Sequence, residues 1–240
     1  MEILFLGTSH GLPEPDRFCS SAIVRCKDCR YIIDAGAPLS SLLPRYQIRY
    51  EDIRALFVTH LDGDHFNGIF NFCDMLGWYY TKANPSLFFP EPGAIDLIHH
   101  MLQVEHPGES CHTVPMSCYQ KGIIFDDGTV RVEARPTNHT HASYAFVLEA
   151  EGKRILFTGD FAEQFTEYPE ILRKETYDLV ICEGAHCSSF VDIRDMLAAT
   201  NTKQMLINHI APRNISSIQQ IAETLPFPIS IAEDGMSITI

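Results

Sequence analysis

The densest group of reactive side chains in this sequence is a short run in its first third. Residues 59–65 read THLDGDH, and four of them could bind a metal: His60, Asp62, Asp64 and His65. Imidazole nitrogens and carboxylate oxygens suit zinc, manganese or iron. The run directly follows the apolar residues 55–58, which are typical of a buried strand. Taken alone, it fits a metal site and a solvated polar loop about equally well.

Three further positions carry the same types of ligand in the same context. His139, Asp160 and His209 each lie just past an apolar segment that is typical of a strand. A single histidine of this kind is more often structural, but four such groups in succession are hard to explain that way. Loops at strand ends are where sites are usually built. The other histidines have no comparable neighbours, and we interpret them as surface or loop residues: His10, His99, His100, His106, His112 and His141.

The elements that must position these residues follow a simple order. Several strands come first, then helices, then the same again, which favours two β-sheets packed face to face with helices outside. The pattern predicts one helix from about residue 65 to 80 and another near 93–104, with loop in the remainder of 85–122. No repeat or linker-like tract interrupts the order, so residues 1–240 are predicted to form a single domain.

Charge and hydropathy restrict the partners. The chain has 18 basic and 31 acidic residues, a formal charge of −13, and no basic cluster, which argues against a large nucleic acid. A small anionic ester remains compatible, because bound metal ions dominate the local field. No segment approaches the ~20 apolar residues that span a bilayer, and the N-terminus lacks the pattern of a signal peptide. We therefore expect no membrane partner and a cytoplasmic location; a homodimer stays open.

The cysteines add one undecided feature. Cys26 and Cys29 form a CxxC at what the pattern predicts to be a hairpin turn, and Cys111 and Cys118 are the only obvious second pair. A CxxC alone is a weak signal for zinc. Whether this pair binds a structural zinc is left open beside the simpler interpretation as a turn.

The sequence resembles the metallo-β-lactamase superfamily along essentially its whole length. Within that superfamily it is most similar to the branch that contains ribonuclease Z and the cyclic-phosphate phosphodiesterase of phosphonate catabolism. The segments that carry the resemblance are FLGT (5–8), IDAG (33–36), HLDGDH (60–65), NH (138–139) ahead of SY (143–144), CEGAH (182–186) and DGM (234–236).

The resemblance implies an α/β fold of the metallo-β-lactamase type, an αβ/βα sandwich of two mixed β-sheets flanked by helices, with the site at one edge. It also implies two divalent metal ions: zinc, manganese or iron. The first ion would be bound by His60, Asp62 and His139. The second would be bound by Asp64, His65 and His209, and Asp160 would bridge the two ions.

By the same resemblance, the chain would be a binuclear hydrolase that cleaves a small phosphodiester, cyclic or linear, through a metal-bridging hydroxide. Asp64 would help to orient that hydroxide. His186 is the candidate proton donor to the leaving alkoxide, since its spacing from His209 is close to that of a functional histidine in the branch. Glu183 would hold the imidazole in the right tautomer. The alternative is that Glu183 caps its loop and His186 is merely exposed.

One departure from the superfamily leaves other functions open. Asp62 stands where most members have a second histidine, and a carboxylate there favours manganese or iron over zinc. In having a carboxylate at this position, the sequence also resembles the diiron oxygen and nitric-oxide reductases. The alternatives are therefore a hydrolase of another ester (lactone, carboxylic or sulfate), a diiron redox protein, or a catalytically silent metal-binding module.

Two family features are missing, and both concern the substrate. The long basic arm with which ribonuclease Z grips transfer RNA has no counterpart between residues 85 and 122. The cysteine-rich insertion of the phosphonate-pathway enzyme is absent from the short segment 11–17. A small phosphodiester therefore remains the preferred substrate, with Arg17 and Arg213 as candidate contacts to its phosphate or ribose.

Overall fold

Two seven-stranded β-sheets face each other in the computed structural model, which describes residues 1–12, 14–166 and 172–240. The first sheet has the order β14-β1-β2-β3-β4-β5-β6 and the second the order β13-β12-β11-β10-β9-β8-β7. The strands are β1 Glu2–Gly7, β2 Ser21–Cys26, β3 Cys29–Ile33, β4 Ile53–Phe57, β5 Ser86–Phe89, β6 Met116–Cys118, β7 Gly122–Asp126, β8 Arg131–Thr137, β9 Ser143–Ala150, β10 Lys153–Phe157, β11 Leu179–Gly184, β12 Met205–Ile210, β13 Ile229–Ile231 and β14 Ser237–Thr239.

Helices cover the outer faces of both sheets. The α-helices of the described residues are α1 Leu39–Arg45, α2 Gly63–Phe66, α3 Ile69–Trp78, α4 Pro92–Glu105, α5 Arg194–Ala198 and α6 Ile215–Ile221. Short 3-10 turns occupy Tyr50–Asp52, Glu163–Phe165, Pro212–Asn214 and Ala222–Thr224. Among the described residues, no helix is long and apolar enough to cross a membrane.

The buried apolar side chains form three layers, one between the two sheets and one between each sheet and its helices. Strand β1 shows why the strands are apolar almost throughout. Successive side chains of a strand point to opposite faces of the sheet. Ile3 and Phe5 enter the layer between the two sheets, whereas Leu4 and Leu6 enter the layer beneath α1, α3 and α4. A strand that is covered on both faces has no polar side, so it reads as a continuous apolar run.

The direction of the strands decides where a site can form. In the first sheet β3 to β6 run parallel, and in the second β10 to β13 do so. The carboxyl ends of parallel strands meet at one edge, and ligands are typically bound in the crevice outside those ends. The loops after β4, β10, β11 and β12 therefore open on the same side of their sheets.

The predicted fold class is confirmed, but two predictions of local structure are wrong. The single helix expected from about 65 to 80 is two helices, α2 and α3, which break at Gly68. A Cβ atom at Gly68 would lie 2.1 Å from the Ala37 carbonyl oxygen, so the close approach of that loop requires glycine. The stretch 85–122 contains β5 and β6, where only loop was expected around the helix. The single domain over residues 1–240 stays a prediction.

The CxxC lies at a hairpin, as predicted. Cys26 ends β2 and pairs directly with Cys29 at the start of β3, and Lys27 in the turn between them has φ +52°. Burial raises the pKa of the Cys26 thiol to about 11. Whether the pair binds zinc stays open.

Candidate metal centre

The seven predicted ligands lie together at the edge where the two sheets open. His60 follows β4, Asp62 to His65 enter α2, His139 follows β8, Asp160 follows β10 and His209 lies in β12. Their ligand atoms form overlapping groups in which all atoms lie within 4.8 Å of one another: His60, Asp62 and His139; His60, His65 and Asp160; and Asp64, His65 and His209.

The first of these groups, which we call the open half, consists of His60, Asp62 and His139. Asp62 Oδ2 lies 3.1 Å from His139 Nε2 and 3.7 Å from His60 Nε2. His60 is fully buried, but the Asp62 side chain is 50% exposed. The three potential metal-ligand atoms of the open half therefore face one point that solvent can reach.

The second group, the buried half, consists of Asp64, His65 and His209. Asp64 Oδ2 lies 2.9 Å from His209 Nε2 and 3.5 Å from His65 Nε2. Both imidazoles are buried and the carboxylate is only 13% exposed. Burial opposes ionisation of Asp64, but the hydrogen bond to His209 and the charge of His65 outweigh it and lower the pKa of this carboxyl to about 2.

Asp160 lies between the two halves. Its Oδ2 is 3.8 Å from His60 Nε2 and 3.5 Å from His209 Nε2, and its Oδ1 is 3.5 Å from His65 Nε2. Burial alone would raise the pKa of this carboxyl, yet the surrounding imidazoles hold it well below its usual range. One buried carboxylate thus faces ligand atoms of both halves.

Asp34 and Thr59 orient two of the imidazoles, and the sequence analysis missed both. Asp34 Oδ2 accepts a hydrogen bond from His65 Nδ1 at 2.8 Å and another from the Thr59 hydroxyl at 3.0 Å. Thr59 Oγ1 in turn lies 3.0 Å from His60 Nδ1. With Nδ1 as the donor, each ring directs Nε2 into the site. The motif IDAG at 33–36 contained Asp34, but nothing in its spacing indicated this contact.

The unpaired atoms of the site fit divalent metals. His60 Nε2, His65 Nε2 and Asp160 Oδ1 are buried and have no hydrogen-bond partner in the part of the chain that the structure describes. Buried polar atoms normally have a partner, so three such atoms in one site call for an explanation. Burial, together with the nearby His65, lowers the pKa of His60 well below its usual value, which favours the neutral form that a metal requires.

His186 lies beside this cluster and is held by Glu183. The Glu183 carboxylate is buried and accepts hydrogen bonds from His186 Nδ1 at 3.0 Å and from the backbone N–H groups of Ala185 at 2.6 Å and His186 at 3.0 Å. That side-chain hydrogen bond raises the pKa of the His186 imidazole to about 9, against the opposing effect of burial. His186 Nδ1 is also 3.8 Å from Asp160 Oδ2.

The two candidate phosphate contacts have other bonds in the structure. Arg17 Nη1 donates to Thr8 Oγ1 and to the Ala232 carbonyl oxygen, both at 2.6 Å, and so braces the first loop against the C-terminal segment. Arg213 Nη2 donates to the Ala185 carbonyl oxygen at 2.6 Å. Arg213 therefore lies beside the loop that carries His186, whereas Arg17 serves to hold the loop that follows β1.

His10, taken from sequence as an ordinary loop residue, lies closer to the site than expected. The preceding Ser9 pairs with Ile210, next to His209, and a Cβ atom on the following Gly11 would be 3.6 Å from Asp64 Oδ2. Burial and the neighbouring His209 lower the pKa of the His10 imidazole. The loop after β1 therefore forms one wall beside the buried half.

Comparison with known proteins identifies a family and a set of relatives. The family model described as Anti-Pycsar protein Apyc1 matches residues 1–213. The chain is 28% identical over 172 residues to a ribonuclease Z of Synechococcus sp. (strain CC9311), covering 68% of this chain and 54% of the relative. It is 26% identical over 149 residues to a ribonuclease Z of Latilactobacillus sakei, covering 61% and 47%. The chain thus spans about half the length of these relatives.

Solved structures share the fold over the whole chain. Human tRNase Z, short form, superposes with a TM-score of 0.76 at 22% identity, covering 100% of this chain and 99% of that one. The metallo-β-lactamase fold protein YhfI of Bacillus subtilis gives 0.78 at 17% identity, with 99% and 98% covered. A diphosphatase of the PhnP family gives 0.72 at 16% identity, with 100% and 97% covered. The architecture is therefore the metallo-β-lactamase fold.

Proposed function

The chain belongs to the Anti-Pycsar protein Apyc1 family, and from that premise we propose that it is a binuclear metallohydrolase that cleaves a small phosphodiester, cyclic or linear. The observation that carries this proposal is the arrangement of the open half and the buried half on either side of the single carboxylate of Asp160. Two divalent ions bound there would lower the pKa of a shared water and stabilise the charge that develops on the phosphoryl oxygens.

The residues of the chain would divide the remaining work. His60, Asp62 and His139 would hold one ion, Asp64, His65 and His209 the other, and Asp160 both. Asp64 is also suited to orienting the attacking oxygen, because its low pKa keeps the carboxylate ionised as an acceptor. The proposed metals are zinc, manganese or iron, with Asp62 favouring the latter two.

His186 is proposed as the proton donor to the leaving alkoxide. Its Nδ1 proton is engaged by Glu183, so Nε2 is the nitrogen from which a proton can be transferred. The hydrogen bond to Glu183 raises the pKa of the imidazole and so favours the protonated state that a general acid needs before the reaction. Arg213, beside the same loop, is retained as the candidate contact to the substrate's phosphate.

The negative charge of the protein favours a small ester over a large nucleic acid as the substrate. The formal charge is −13, and long RNA binds through many neutralised phosphates. The relatives named ribonuclease Z and tRNase Z make RNA the competing substrate that the experiment must include.

The test is hydrolysis by the purified protein in added zinc, manganese or ferrous iron. Bis-nitrophenyl phosphate, 2′,3′- and 3′,5′-cyclic nucleotides, a lactone, a nitrophenyl carboxylate and a single-stranded RNA are the substrates. We expect turnover of the small phosphodiesters, lost on His139→Ala and retained on the matched control His141→Ala, whose side chain is 85% exposed. Turnover restricted to the RNA, or to the carboxylic esters, would contradict the proposal.

A further inference from the structure

His209 differs from His60, His65 and His186 in the surroundings of its Nδ1 atom. His65 donates to Asp34, His60 to Thr59 and His186 to Glu183, so each has an acceptor for Nδ1. His209 directs Nε2 at Asp64, and its Nδ1 is buried without a hydrogen-bond partner within residues 1–12, 14–166 and 172–240. A histidine that binds metal almost always donates its other ring N–H to a carboxylate, a carbonyl or a water.

A small cavity lies on the inner side of the site. It has a volume of about 30 Å³, and its polar lining includes Asp34, His65, Asp160, Glu183, Asn208 and His209. A polar cavity needs roughly 10–15 Å³ and two to four polar partners to hold an ordered water. Both conditions are met by this cavity.

Asn208 lines the same cavity and carries a second unpaired atom. Its side chain is 8% exposed, and its Oδ1 is buried with no hydrogen-bond partner among the described residues. An amide oxygen is an acceptor only, whereas the ring N–H of His209 is a donor. Apolar neighbours offer neither atom a hydrogen bond. One water molecule can accept a hydrogen bond from His209 Nδ1–H and donate one to Asn208 Oδ1.

A β-bulge explains how two neighbouring residues can face one cavity. Consecutive side chains of a regular strand point to opposite faces. Here Glu183 of β11 pairs with Asn208, and the next residue, Gly184, pairs with Ile210, so His209 is the extra residue of β12. Its φ of +50° is rare outside glycine and marks the local distortion. The bulge therefore turns His209 to the same side as Asn208.

We infer that this cavity binds one ordered water, through which Asn208 acts as a positioning residue for the proposed ligand His209. The water accepts a hydrogen bond from His209 Nδ1–H and donates one to Asn208 Oδ1, which holds the ring in the orientation that directs Nε2 toward the metal. The role in metal binding rests on the proposed function, whereas the water site itself does not.

A crystal structure at about 1.5 Å resolution or better tests the water site directly. We expect an ordered water within about 3.2 Å of both Asn208 Oδ1 and His209 Nδ1. A dry cavity, or one closed by a neighbouring side chain, would overturn the inference. This result does not depend on the metal content of the protein.

Competition for Zn²⁺ between the protein and a chelator tests the positioning role. Asn208→Leu removes the acceptor and should weaken Zn²⁺ binding by about 10- to 100-fold, while Asn208→Asp, which keeps an oxygen acceptor, should retain most of it. Asn138→Leu is the matched control, because Asn138 also precedes a proposed ligand, His139, but is exposed. It should bind Zn²⁺ like the wild type.

The hydrogen bond of the His209 Nδ1 proton, read from its ¹⁵N shift and its exchange rate in Zn²⁺-loaded protein, separates positioning from a merely structural effect. In a folded Asn208→Leu variant we expect this proton to exchange faster with solvent and its ¹⁵N resonance to shift, and Asn208→Asp to restore the wild-type values. Wild-type Zn²⁺ affinity in Asn208→Leu would overturn the role of Asn208. If the leucine variant does not fold, the aspartate variant and the crystal structure decide. A wild-type protein that binds no Zn²⁺, manganese or iron would instead refute the proposed function.

Discussion

The buried half and the open half of the site differ in how firmly their ligands are held. In the buried half His65 is fixed by Asp34, and the Asp64 carboxylate is 13% exposed. In the open half the Asp62 side chain is 50% exposed. Each carboxylate has another proposed ligand as its hydrogen-bond partner, so the halves differ in burial and in the support from Asp34. A ligand set that is already ordered loses less conformational entropy on binding. We therefore expect the buried half to bind its ion more tightly and the open half to exchange.

The difference also explains where the chain can depart from its superfamily. Replacing an imidazole by the shorter carboxylate of Asp62 at an exposed position leaves no buried cavity and no buried unpaired atom. The same exchange at His65 would remove one of the three hydrogen bonds that buried Asp34 accepts, a loss that costs about 1–3 kcal/mol. The exposed position is thus the one at which metal preference can change at little cost in stability.

The largest effect should come from removing what the two halves share. In Asp160→Ala both ions lose a ligand, so bound metal should fall sharply and turnover by on the order of 10³-fold. Mass spectrometry of metal content on the purified variant, beside the hydrolysis rate, gives both values. Unchanged metal content would refute the bridging assignment.

His186→Ala should affect turnover without affecting either half. Loss of a general acid costs on the order of 10²-fold for an alkoxide leaving group and far less for nitrophenolate, which needs no proton. The comparison of both substrates in one variant measures this. Because His186 also lies within ligand distance of His139 and Asp160, a parallel loss of metal would instead make it a ligand.

Asp34→Ala should loosen the buried half more than the open half. Its carboxylate holds His65 directly and His60 only through Thr59, so we expect binding of the tighter ion to weaken by about 10- to 100-fold. A metal titration monitored by calorimetry resolves the two sites. Asp28→Ala, in the exposed turn between β2 and β3, is the control; equal weakening of both sites would contradict the asymmetry.

The smallest effect concerns metal preference. Asp62→His restores the ligand found in most of the superfamily and should shift selectivity toward zinc over manganese by about 10-fold or less, in the open half only. The free energy of unfolding should change by less than about 0.5 kcal/mol, as is usual for an exposed position. Competition of the two metals for the purified variant measures the shift, and an unchanged ratio would show that Asp62 does not set the preference.

The sequence could predict what depends on types and order of residues. Strand-end positions and ligand chemistry were enough to propose the seven residues that the structure brings together, and the resemblance supplied the fold class, which is confirmed. The contact of Asp34 with His65 was not predictable, because 31 residues separate the partners. The bulge at His209 depends on the pairing of β11 with β12, and the break at Gly68 on a carbonyl from another segment, so neither leaves a local signal.

The most direct test of this account is the number of metal ions per chain, measured by mass spectrometry on protein purified without chelator and then titrated with zinc and with manganese. The account predicts about two ions per chain at saturation, with one binding more tightly and remaining bound through dialysis. Saturation at a single ion, or no bound metal at all, would contradict the binuclear site on which the proposed hydrolysis depends.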